Sequence, residues 1–118
     1  MTAEEQQELT TITRRPFGEP DAELPFVHGR SVIVTLGPEE VWRSELEPGW
    51  NWDEDLGPYA EGATSCPMTH REYVVEGRIR YVMEDGTEII ATPGDVLFIP
   101  PGHRAWVEGD ERCVLIDW

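Results

Sequence analysis

The stretch His70-Arg71-Glu72-Tyr73-Val74-Val75-Glu76-Gly77 leads through Arg78-Ile79-Arg80-Tyr81-Val82-Met83 and Asp85-Gly86 to Gly94-Asp95-Val96-Leu97-Phe98-Ile99-Pro100-Pro101-Gly102. Its apolar runs are short, and each is stopped by glycine, proline or aspartate. From Arg78 to Met83 the residues alternate. Ile79, Tyr81 and Met83 share one parity and Arg78 and Arg80 the other, the period of a strand with one wet face. Asp85-Gly86 between two apolar runs predicts a hairpin, because glycine reaches positive φ without strain. Glu76-Gly77 predicts a second hairpin, and Pro93-Gly94-Asp95 and Pro100-Pro101-Gly102 predict sharp turns.

Outward from this stretch the same texture continues. Short segments fall at Ser31–Leu36, Val41–Leu46, Glu72–Val75, Arg78–Glu84, Thr87–Ala91, Asp95–Ile99, Arg104–Glu108 and Arg112–Asp117. None is long enough for an amphipathic helix, so the pattern predicts an all-β sandwich or barrel. Pro48–Ala63 lacks strand alternation yet carries Trp50, Trp52 and Tyr59; irregular stretches of this length line a site or cover a core. Residues 1–30 read as a partly irregular N-terminal arm ahead of a barrel over 31–118. Within the arm, 1–15 predict a frayed leader or an edge strand completed by a partner chain. Pro16–Pro25, with Gly18 and Pro20 between, reads as irregular.

The 118 residues hold one domain. Acidic residues number 24 against 9 basic, a net charge of −15, and every basic residue is arginine. The absence of lysine excludes Schiff-base and pyridoxal chemistry and a phosphate-loop lysine. The charge repels nucleic acid and anionic lipid, and the arginines form no basic patch, so neither is an expected partner. No apolar run approaches the roughly 20 residues needed to span a bilayer, and the first residues are too acidic for a signal peptide. Free cysteines and a cytoplasmic location are therefore expected.

The run from His70 to Gly77 and the run from Gly94 to Gly102 together resemble the two motifs of the cupin superfamily. The resemblance implies a double-stranded β-helix (jelly-roll) barrel, a small-molecule ligand and a homodimer. Pro48-Gly49-Trp50-Asn51-Trp52, Ser65-Cys66, His70 and Pro100 to Val107 are similar to a group of small single-domain bacterial cupins. The family's metal motif is altered. Its usual ligand positions fall on Thr64, Cys66, His70 and Ala105, and none holds the usual residue. Cys66 and His70 keep the parity of the family's ligands and are expected to project into the barrel if their strand is unbroken. His103 shares the parity of Ala105. Cys66, His70 and His103 then form a mixed thiolate–imidazole set with an open position. Such a set suits a divalent transition metal, zinc first, with iron, copper or nickel as alternatives.

Each residue also has a plainer reading. Cys66 suits a small buried hydrophobe, His70 a core histidine, and His103 a surface turn. Cys113 reads as core filler, His28 as exposed or at a subunit contact, Trp106 and Trp118 as core or interface aromatics, and Asp53-Glu54-Asp55 as solvated loop. Trp50 and Trp52 are expected to wall a pocket or lid the barrel, with Tyr73, Met83 and Arg104 as further pocket residues. Arg80 or Arg104 is a candidate to hold a carboxylate. His70 and Tyr81 are the candidate catalytic residues. The leading expectation is a metal-dependent cupin acting on a small molecule. The alternative is a metal-free ligand-binding or sensing module, and a third reading has His70 as a metal-free acid–base catalyst with Tyr73 or Glu72.

Overall fold

The structure, a computed structural model, describes residues 8–118. Among the described residues are nine strands: β1 (Ala22–Phe26), β2 (Gly29–Leu36), β3 (Glu39–Leu46), β4 (His70–Glu76), β5 (Ile79–Met83), β6 (Glu88–Ala91), β7 (Val96–Ile99), β8 (His103–Val107) and β9 (Cys113–Asp117). A four-residue helix, α1 (Trp52–Asp55), and a 3-10 turn (Gly57–Tyr59) lie between β3 and β4. All pairings are antiparallel, in a six-stranded sheet ordered β1-β2-β3-β9-β4-β7 and a three-stranded sheet ordered β6-β5-β8. The last strand is inserted between β3 and β4, the crossing of a jelly roll. This is the all-β barrel that the sequence predicts.

The core lies between the sheets. Ile79 and Tyr81 of β5 meet Val74 of β4, Leu115 and Cys113 of β9 and Ala105 and Val107 of β8. Val74, Ile79 and Cys113 are fully buried. Arg80, on the other parity of β5, pairs outside with Glu88 and Glu108 and lies over the Trp106 ring. No helix among the described residues is long and apolar enough to cross a membrane.

Three expectations need correction. Glu76-Gly77 closes no hairpin, because β4 and β5 belong to different sheets and the turn carries the chain across the barrel. Gly77 has φ +76°, and a Cβ there would lie 2.2 Å from the Arg112 carbonyl oxygen. The segment read as irregular contains β1, which pairs with β2 from Ala22↔Ile33 to Phe26↔Gly29. Pro25 fits there because β1 is an edge strand and its missing N–H deprives no further strand. Residues 8–15 form no strand, while the part of the predicted leader at 1–7 lies outside the described residues. Asp53-Glu54-Asp55 is no solvated loop, since it forms most of α1 and Asp55 is buried.

Candidate metal centre

His70 opens β4 and His103 opens β8. Cys66 lies outside any strand, so the unbroken strand on which its shared parity with His70 is conditional does not form. It is clipped instead to the start of β8: its N–H donates to the His103 carbonyl, and the Gly102 N–H donates to its own carbonyl, each at 2.8 Å. This clip turns the side chain inward beside His70.

Cys66 Sγ and His70 Nε2 are 3.6 Å apart. The His70 and His103 rings meet edge to face with centroids 5.0 Å apart. One ligand atom from each of Cys66, His70 and His103 lies within 4.8 Å of the others. A tetrahedral zinc site with ordinary Zn–S and Zn–N bonds has edges of ~3.3–3.6 Å, so the Cys66–His70 edge already matches and the other two are at most 4.8 Å. The Nδ1 of His103 is 2.7 Å from the Pro100 carbonyl. A carbonyl only accepts, so Nδ1 carries the proton and Nε2 keeps its lone pair, as in a metal-binding histidine whose far nitrogen donates to the backbone.

Burial pushes His70 down to about 4, helped by the neighbouring His103, and burial lowers His103 too. Both imidazoles are therefore neutral and able to ligate near pH 7. Burial pushes the Cys66 thiol up, partly offset by the Met68 backbone and Trp52 indole N–H groups beside the sulfur. The donor set therefore fits a transition metal, with the thiol proton to be displaced on binding.

A second cluster adjoins the first through His70, whose Nδ1 is 3.8 Å from Asp117 Oδ2. Carboxylate oxygens of Asp117 and Glu72 lie within 4.8 Å of each other, and Glu72 accepts from the Tyr81 hydroxyl. Two buried carboxyl groups this close disfavour ionising together. Burial and the Glu72 charge push Asp117 up to about 10, and burial raises Glu72 as well. Sequence reading cast Glu72 only as a partner for His70 and missed Asp117. The available signal was parity on the last strand, where Cys113, Leu115 and Asp117 face in.

Both clusters line one cavity of about 60 Å³. Trp50 and Trp52 wall it, together with Phe26, Leu56 and Ala105. Tyr73, Met83 and Arg104 do not line it. Tyr73 has the outward parity of β4, Met83 pairs with His103 at the end of β5 without reaching the cavity, and Arg104 is exposed and ion-paired with Asp53. Arg80 and Arg104 are thus both committed to surface carboxylates and neither reaches the cavity. Thr64 is exposed and contributes nothing.

The tryptophan wall is anchored from below. Asp55 accepts from the His28 backbone N–H at 2.6 Å and the Asn51 N–H at 3.1 Å, with His28 Nδ1 at 3.0 Å. His28 is therefore tied into the fold rather than free in an arm. A larger depression of about 380 Å³ lies elsewhere, between Gly77, Arg78, Pro93 and three acidic residues, and brings no ligating set together.

The family profile described as "Cupin domain" matches residues 59–118. A search of curated proteins returns no match. Among solved structures, the polyketide cyclase RemF from Streptomyces resistomycificus is similar at 17% identity and a TM-score of 0.61, over 91% of this chain and 78% of that one. KdgF from Halomonas sp. is similar at 19% identity and a TM-score of 0.53, over 76% of each chain. A cupin-like protein from Thermotoga maritima is 25% identical with a TM-score of 0.50, over 78% of this chain and 69% of that one.

Proposed function

The chain belongs to the cupin family, and from that premise we propose that it holds one divalent transition metal in its barrel and binds a small molecule beside it. Cys66, His70 and His103 are the ligands, and zinc suits this set first, before iron, copper or nickel. The observation that carries the reading is the convergence of three ligand atoms within 4.8 Å, on two histidines that burial keeps neutral. When bound, such a metal supplies Lewis acidity and an open position for activated water, or redox chemistry if it is iron or copper. Around it the chain's own groups divide the work. Asp117 and Glu72 keep a proton next to His70, Tyr81 fixes Glu72, and Trp50 and Trp52 exclude bulk water. His70 and Tyr81 thus serve as the catalytic residues if the protein is an enzyme. Relatives of this fold include the polyketide cyclase named above.

The test is elemental analysis of untagged protein beside Cys66→Ala and His70→Ala. Near-stoichiometric metal lost in both variants is expected. No metal after reconstitution, in protein that keeps its melting transition, overturns the reading. A metal-free binding module is the second reading, and the alanine at the family's fourth ligand position, Ala105, favours it. A ligand that raises the melting temperature of chelated protein supports that alternative. A cytoplasmic homodimer is also proposed. Its support is the outward face of β4 and β7, which exposes Tyr73, Val75, Val96 and Phe98.

A further inference from the structure

We infer that the cavity takes a small, non-anionic molecule that donates a hydrogen bond to Asp117 Oδ1 and accepts one from Trp50 Nε1, and that it rejects carboxylates and phosphates. This rests on the reading of the cavity as the ligand site and names the class of ligand.

Two observations lead there independently. Among the described residues, Trp50 Nε1 and Asp117 Oδ1 are the two buried side-chain polar atoms without a partner. Both residues line the same cavity. Folded proteins leave few such groups unpaired, so each asks for a partner that the chain does not supply. One is a donor and the other an acceptor, and a molecule carrying both functions satisfies both.

Charge is the second observation. Anion sites are built around guanidinium forks or other cations. None of the nine arginines lines this cavity, and the carboxyl groups of Glu72 and Asp117 do. An anion there meets the negative charge that Glu72 and Asp117 carry between them and no arginine, after approaching a chain of net charge −15. Size limits the ligand further. The cavity of about 60 Å³ has room for about four waters at ~15 Å³ each, hence for an amide, a small alcohol or an amine rather than a sugar.

Acetamide, acetamidinium and acetate share one shape and differ in charge, which makes them the probes. Each is titrated into the full-length protein, metal-loaded and chelated, by NMR. Acetamide is expected to bind at least about tenfold more tightly than acetate, the worth of one or two net hydrogen bonds. Acetamidinium is expected to bind ahead of acetate as well. Trp50→Phe should weaken acetamide while leaving the amide spectrum of the fold intact, and Glu72→Gln, which removes the charge of the pair, should narrow the preference over acetate. Acetate binding as tightly as acetamide to the chelated protein overturns the inference, and so does the absence of binding by any probe. Metal content is measured in the same samples. Protein that takes up no metal but keeps this order overturns the metal reading alone, whereas protein that binds metal but prefers acetate once chelated overturns the ligand class alone.

Discussion

At Cys66 the burial of a thiol and the demand of a metal for a thiolate pull in opposite directions. The sulfur is held protonated at neutral pH by its surroundings, so metal uptake must release that proton. His70, pushed down to about 4, is already neutral there and releases none. Apparent metal affinity should therefore rise about tenfold per pH unit between about pH 6 and 8, and Cys66→Ser should flatten the slope. Competition against a chromophoric chelator at several pH values measures this, and a flat profile in the parent protein contradicts it. Asp117 makes a stability prediction of opposite kind. Its folded value of about 10 lies above the ~3.9 of an unfolded aspartate. The folded protein thus holds an extra proton between those values, and stability falls as pH rises through that window. Asp117→Asn removes the dependence, so its melting temperature should exceed the parent's by a margin that widens from pH 5 to pH 8. Cys66 and His70 were legible in the sequence because a spaced motif frames them. Asp117 was not, because what makes a carboxyl tolerable in a core is a partner on another strand, here Glu72, and linear sequence does not display that pairing.

Among the elements, the turn at Gly77 is the most demanding. A Cβ there would strike the Arg112 carbonyl at 2.2 Å, whereas one at Gly86, also at positive φ, meets nothing within 4 Å. Gly86→Ala should cost only the ~1–2 kcal/mol of a left-handed backbone, and Gly77→Ala clearly more. Chemical denaturation of both variants tests this, and equal losses would show that the close approach does not matter. The strands from β2 to β9 were readable from short apolar runs and turn residues. The path between sheets was not. A positive-φ glycine announces a sharp turn but not whether the chain returns to its own sheet, which is why Glu76-Gly77 reads as a hairpin and acts as a crossover. β1 was hidden by Pro25, which an edge position tolerates. α1 was hidden because four residues give no helical period, and its anchor, Asp55 beneath His28 and Asn51, is long-range on one side.

Over the whole molecule, a net charge of −15 favours separation of copies, so association needs an apolar face to overcome it. The outward side of β4 and β7 offers one, with Val96 and Phe98 more than 60% exposed. Light scattering is expected to give a dimer that Phe98→Glu converts to monomer, and a monomeric parent at high micromolar concentration contradicts this. The same fold brings a thiol, two neutral imidazoles and a proton-holding carboxyl pair to one small cavity, and the metal reading depends on that convergence. X-ray absorption at the edge of the bound metal tests it most directly. One sulfur and two imidazole nitrogens in the first shell, with the sulfur lost in Cys66→Ser, is the predicted result. A bound metal with no sulfur scatterer, or a folded protein that takes up none, would contradict it.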